Sequence, residues 1–193
     1  MSRHKCVLAL LLALAAWPAL AFDLNELMAL LGQQRSGEAE FSEQRFVKGL
    51  DEALTASGTL SFAAPDRFVR KTLKPRAETL AVAGNTVTLT RAGRSRSFTL
   101  DAAPEMVGIV EAIRGTLTGN AATVRRYFKP ELSGHAEQWT LALTPLEARL
   151  GGQVRVIQLS GQRADVNRIE MQLTDGDRSL MTITHAGPAA SAP

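Results

Sequence analysis

The chain is poor in the residues that most often carry chemistry. It has one cysteine, three histidines, one tyrosine and two tryptophans, and aromatic residues make up only 5% of it. The cysteine, Cys6, lies near the N-terminus. The rest of the chain therefore forms no internal disulfide and must be held by an ordinary apolar core. His135 and His185 have no second histidine and no cysteine at metal-ligand spacing. No serine sits in a Gly-x-Ser-x-Gly elbow. The two histidines read as turn or surface residues, and the chain reads as no enzyme, with no metal and no cofactor. A large charge of one sign is also missing: 22 Lys and Arg face 19 Asp and Glu, a net charge of +3. Charge gives no support for nucleic-acid binding.

Long apolar runs are absent too, with one short exception. Arg3 and Lys5 precede an unbroken apolar run from Val7 to Ala16. Trp17-Pro18 breaks it, and Ala19-Leu20-Ala21 fits a small-x-small cleavage site. The run is about half the roughly 20 residues a membrane-spanning helix needs. Residues 1–21 therefore read as an export signal cleaved after Ala21. Its removal leaves Phe22 as the first residue and a net charge of +1. The remaining stretch of about 170 residues suits one domain, expected over residues 22–186. The small, Pro-containing stretch 187–193 is expected to be a disordered tail.

Asp23 to Arg35 predicts an amphipathic helix. Leu24, Leu27, Met28 and Leu31 fall at i, i+3, i+4 and i+7, and Asp23 with Glu26 makes a capping box. The period then changes to two. Ala39–Val47, Leu54–Phe62, Phe68–Leu73, Thr79–Val82, Val87–Thr90 and Ser97–Leu100 read as short strands joined by turns. A helical block follows, capped by Asp101, with Pro104 in its first turn. Its stripe is Met106, Ile109, Val110, Ile113 and Leu117, and Gly119-Asn120 ends it. Ala121 to Phe128 reads as a further short helix before Pro130. Strands return at Gln138–Thr144, Gln153–Ser160, Asn167–Thr174 and Arg178–Thr184, the last two joined at Asp175-Gly176-Asp177. That turn has too few oxygen ligands for a calcium site. The order predicts one curved antiparallel sheet of about ten strands with helices against one face.

Two charge features stand out. Glu38, Glu40 and Glu43 sit near Arg45 and read as an exposed strand face. Arg67, Arg70, Lys71, Lys74 and Arg76 crowd ten positions, and Arg91, Arg94 and Arg96 follow in a hairpin. They form either a solvated face or a patch that meets anionic lipid headgroups or an acidic partner. The aliphatic residues of the strands and of the second helix read either as a filled core or as the lining of a cavity for acyl chains.

An ordered set of short motifs resembles the LolA and LolA-like periplasmic outer-membrane lipoprotein carrier family. It begins with Phe41-Ser42-Glu43-Gln44, Ser57-Gly58-Thr59-Leu60-Ser61-Phe62, Pro65-Asp66-Arg67-Phe68 and Lys74-Pro75. Gly84-Asn85 falls at the family's Asp-Gly hairpin. Tyr127-Phe128, Trp139-Thr140-Leu141 and Leu143-Thr144-Pro145 match the next block. Ile157 to Gly161, Ile169-Glu170-Met171 and Asp175 to Ser179 match the last. The resemblance implies an α+β fold: an unclosed antiparallel β-barrel with α-helices packed as a lid over its concave apolar face. It further implies a periplasmic carrier or chaperone. Such a protein would shield an acyl-bearing cargo, a lipoprotein or another lipid, between the inner and outer membranes. An exposed methylene costs about 0.8 kcal/mol, so a shuttle needs an apolar pocket in place of the membrane.

Under that resemblance the candidate cavity and lid residues fall on three parts of the chain. Leu60, Phe62, Phe68, Leu80, Val82 and Leu89 lie on the early strands. Met106, Ile109, Val110, Ile113 and Leu117 lie on the helix, and Leu141, Met171 and Met181 on the late strands. Arg67, Arg70 and Lys71 are candidate headgroup or partner contacts. The chain departs from the carrier pattern at Ala64, where the family has an arginine that bonds to the lid. It departs again at Arg70, where the family has tryptophan, and at Val87 to Thr90, which replaces an aromatic strand. Without the arginine, lid closure should rest on apolar contact alone. These departures look closer to LolA-like proteins of lipid or aryl-polyene export systems, with an inner-membrane exporter and an outer-membrane acceptor as partners. A monomer is expected. The alternative is a sensor or binding module of the same fold that moves no cargo.

Overall fold

The computed structural model describes residues 22–185. The expected export signal and tail lie outside the described residues. The first element is helix α1 (Leu24–Leu31). The Asp23 carboxylate accepts the N–H groups of Asn25 and Glu26, and Glu26 accepts the Asp23 N–H at 3.1 Å. This capping box satisfies donors that the first turn cannot pair internally. Leu24, Leu27, Met28 and Leu31 are buried on one side.

Six strands follow: β1 (Ser36–Phe46), β2 (Leu54–Ala63), β3 (Arg67–Lys74), β4 (Glu78–Ala83), β5 (Thr86–Arg91) and β6 (Arg94–Thr99). A short 3-10 turn leads into α2 (Pro104–Leu117) and α3 (Ala121–Tyr127). Then come β7 (Phe128–His135), β8 (Gln138–Pro145), the one-turn α4 (Ala148–Gly151), β9 (Val154–Gln162), β10 (Asp165–Leu173) and β11 (Arg178–His185). All eleven strands form one sheet in the order β6-β5-β4-β3-β2-β1-β11-β10-β9-β8-β7. Every neighbouring pair is antiparallel. The first and last strands meet in the middle. The edges β6 and β7 are not paired with each other, so the sheet is open, and the segment carrying α2 and α3 connects one edge to the other.

Two expectations need correction. Phe128–His135 is a strand, not the end of a helix followed by a turn. Pro130 within it pairs opposite Leu143, and a proline is tolerated because β7 is an edge that needs no donor on its outer side. Asp101 does not cap α2: the N-cap is Ala103, without a side-chain bond, and Asp101 accepts from Asn85 Nδ2 at 2.6 Å.

Strand alternation gives the sheet an inner face, which the helices cover, and an outer face. The inner face carries two separate apolar clusters. One joins α1, α3 and α4 to β8 and β9 around Trp139, Phe128, Leu141 and Leu143. Its tryptophan Nε1 donates to the Arg163 carbonyl at 3.0 Å. The other joins Val110, Met106 and Val107 of α2 to Val82, Val87 and Phe98 of β4–β6. No helix among the described residues is long and apolar enough to cross a membrane.

Candidate ligand-binding cavity

The two clusters leave the middle of the inner face, at β1–β3 and β11, incompletely filled. A cavity of about 140 Å³ lies there. The sheet supplies Ala39, Leu60, Phe62, Ile169, Met181 and Ile183, and the helices supply Leu31, Ile113, Thr116 and Leu117. A second cavity of about 80 Å³ sits toward β4, between Leu80 and Val82 on the sheet and Met106, Ile109 and Val110 on α2. Phe62, Phe68, Ile113 and Leu117 line both, so the two spaces adjoin.

The few polar groups at the larger cavity are mostly satisfied. Gln34 Nε2 donates to the Ala164 carbonyl and to Asp165, both at 3.2 Å, and the His185 ring lies 2.9 Å from the Val166 carbonyl. Thr116 differs. It is 2% exposed and its hydroxyl has no hydrogen-bond partner.

Helix α2 has a polar tie to the sheet. Arg114 Nη2 donates to the Gly84 carbonyl in the β4–β5 turn at 2.8 Å, and its other arm pairs with Glu111. The expectation that closure rests on apolar contact alone is thereby corrected. Ala64 contributes no such bond from the sheet, but an arginine on the helix reaches back to it.

The acidic group expected as one exposed face is split by the strand period. Glu38 and Glu40 are exposed, while Glu43 faces inward and is 8% exposed. Glu43 pairs with Arg70 and accepts from the Ser179 hydroxyl. The Arg70 guanidinium also lies over the Phe41 ring, 4.8 Å from its centroid. This buried ion pair on the inner face was not legible from the sequence, because its partners are far apart in the chain.

The candidate residues divide accordingly. Leu60, Phe62, Phe68, Ile113, Leu117 and Met181 line the larger cavity, and Leu80, Val82, Met106, Ile109 and Val110 line the smaller one. Leu89, Leu141 and Met171 line neither. Leu141 is fully buried in the cluster around Trp139, Met171 packs against that cluster, and Leu89 pairs with Leu80 on β4. Arg67, Arg70 and Lys71 do not act together. Arg67 borders the smaller cavity, Arg70 points inward to Glu43, and Lys71 pairs opposite Thr59 and Thr79 on the outer face.

Sequence reading missed Leu31, Thr116, Ile169 and Ile183. Leu31 sat in a recognised stripe and Ile169 and Ile183 in expected strands, so only spatial assembly separated them from core, while Thr116 lay in the expected helix but off its stripe. It also missed His185, which ends β11 opposite Ala39 beside the cavity. The resolved pKa shifts lie elsewhere, on the exposed pairs Lys129–Glu131 and Arg163–Glu137. A hydrogen bond raises the Lys129 pKa and lowers that of Glu131, and the bond that Arg163 donates to Glu137 raises that of Arg163. Among the described residues no group of three or more His, Cys, Asp or Glu could hold a metal ion.

Residues 15–193 match the family model described as outer membrane lipoprotein carrier protein LolA-like. No curated protein is significantly similar in sequence. Among solved structures, a LolA superfamily protein from Nitrosomonas europaea aligns over 87% of this chain and 96% of its own, at 10% identity and a TM-score of 0.48. The lipoprotein LppX of Mycobacterium tuberculosis aligns over 88% and 98%, at 9% identity and a TM-score of 0.42. MucB, from its complex with MucA in Pseudomonas aeruginosa, aligns over 87% of this chain and 59% of its own, at 12% identity and a TM-score of 0.44.

Proposed function

We propose that this chain, which belongs to the LolA-like family of outer membrane lipoprotein carrier proteins, is a non-enzymatic carrier for the acyl part of a lipid or lipoprotein. It works as a monomer in the periplasm. It takes cargo from an inner-membrane exporter of lipid or aryl-polyene type and passes it to an outer-membrane acceptor. The observation that carries the reading is the pair of adjoining apolar cavities between the sheet and α2, set between two packed clusters. Phe62, Phe68, Ile113 and Leu117 would hold the chain by apolar contact, which is strong in sum and has no directional bond to break on release.

Size decides one further point. Ligand pockets are about 300–1,000 Å³, and these cavities measure about 140 and 80 Å³. On this reading the position of α2 over the sheet is the closed one. Cargo entry, on the same reading, has α2 lift as a lid, breaking the Arg114–Gly84 bond and widening both spaces into one.

The test is transfer. Protein prepared from its own periplasm should carry lipid in native mass spectrometry. After delipidation it should move a fluorescent acyl lipid from donor to acceptor vesicles faster than spontaneous exchange. Stable complexes with envelope proteins and no transfer would favour the sensor reading instead.

A further inference from the structure

The register shows that the inner face has two halves. Along β1 the inward residues run Ala39, Phe41, Glu43, Arg45. On β3 the inward residue after Phe68 is Arg70, and on β5 the one after Leu89 is Arg91. On β6, Phe98 pairs opposite Val87, Arg96 opposite Leu89, and Arg94 opposite Arg91. The same face thus changes from apolar to arginine at the same end of four strands. That end forms an open depression of about 270 Å³, lined by Arg45, Arg70, Arg76 and Arg91 together with Glu43 and Glu78.

The acids do not neutralise it. Glu43 is engaged by Arg70 and Ser179. Glu78 lies 4.0 Å from Arg91, with both side chains well exposed, a separation that contributes little in water. No ion pair among the described side chains engages Arg45, Arg76, Arg94 or Arg96. Asp51 and Glu52 lie in the exposed β1–β2 turn beyond Arg45. Even counting them, six arginines face four carboxylates. The expected mature chain is nearly neutral, so this end holds a concentrated excess. The cations are all arginines, whose planar fork binds phosphate or carboxylate with two bonds.

We propose that this arginine end is the site for the anionic headgroup, phosphate or carboxylate, of an amphiphile whose acyl chain lies in the adjoining cavities. The inference rests on the carrier reading. Phe68, which lines both cavities, is two residues from Arg70 on one strand, about 7 Å away. A chain under α2 therefore ends beside the arginines without crossing another polar barrier. Charge complementarity and the continuity of one face select an amphiphile over a neutral lipid.

The experiment uses the mature chain from Phe22 and two soluble probes with the same chain, palmitoyl lysophosphatidate and monopalmitoylglycerol, measured below their micelle concentrations. The anionic probe is expected to bind about tenfold more tightly, from a few partly screened charge contacts. The triple variant Arg91→Gln, Arg94→Gln, Arg96→Gln should bind the neutral probe as before and lose most of that preference. Its circular dichroism should be unchanged, since none of the three supports the core. Glycerol phosphate, which has no chain, should not displace the anionic probe. Equal affinities for the two probes, or a preference that survives the triple substitution, would overturn the headgroup site and leave the carrier reading standing. Failure of both probes to bind would overturn the two together. If the variant keeps the preference and loses only sedimentation with phosphatidylglycerol vesicles, the arginines dock on membranes and this assignment falls.

Discussion

Thr116 places a hydroxyl with no partner against an apolar space. A buried unsatisfied hydroxyl costs about 1–3 kcal/mol, and a methyl of the same shape does not. Thr116→Val should therefore raise the stability of the empty protein by about 1 kcal/mol in urea denaturation. A loss of stability would mean that the hydroxyl is satisfied in the empty state. The Glu43–Arg70 pair gives the opposite sign. Glu43→Gln leaves the Arg70 charge half-buried over Phe41 and should destabilise by about 2 kcal/mol, less than a fully buried pair because Arg70 keeps some solvent. The double variant Glu43→Leu, Arg70→Leu should recover most of that, since removing both partners of a buried pair is often neutral. The sequence showed Arg70 as an oddity in an otherwise familiar run and Glu43 as one of three acids. Their pairing depends on β1 and β3 flanking β2, which no local pattern states.

At the scale of the element, the proposed lid motion belongs to α2. It lies over the sheet by an apolar stripe and one polar tie. Arg114→Ala removes the bond to the Gly84 carbonyl, so amide exchange across Met106 to Leu117 should become faster in the empty protein. Added palmitoyl lysolipid should slow it again. Equal protection with and without lipid would rule out a cargo-gated lid. Phe68→Glu should impair transfer more than folding, because Phe68 is half-buried and lines both cavities. A charge there costs several kcal/mol against an acyl chain. Circular dichroism and vesicle transfer together check this, and an unfolded variant or one with normal transfer removes Phe68 from the site. The helix stripe was readable at its spacing of three and four. That all five of its residues border a cavity was not, since spacing marks a buried face and not what lies against it.

For the whole molecule, the export reading and the fold make a joint prediction. The intact mass of protein secreted into the periplasm should correspond to a chain that begins at Phe22. A mass that retains residues 1–21 would place the domain on a membrane anchor and change how it could shuttle. An open sheet suits a carrier mechanically. Its edges β6 and β7 are bridged by the helical segment and not by hydrogen bonds, so the interior can widen without breaking the ladder.

What the sequence by itself determined is local. Period two placed ten of the strands, period three to four placed α1 and α2, and Asp23 with Glu26 marked the start of α1, because these signals depend on neighbours a few residues away. The ordered motifs pointed to the family by resemblance, and the family model matches over residues 15–193. Tertiary structure alone decided the rest. It made an edge strand of the segment around Pro130, joined Glu43 to Arg70, and left Leu141 in a core while Phe68 faced a void. It also gathered arginines from four strands at one end of one face. Those outcomes depend on which strands are neighbours and where two helices fail to fill the space over a wide sheet, quantities that exist only once the chain has closed on itself.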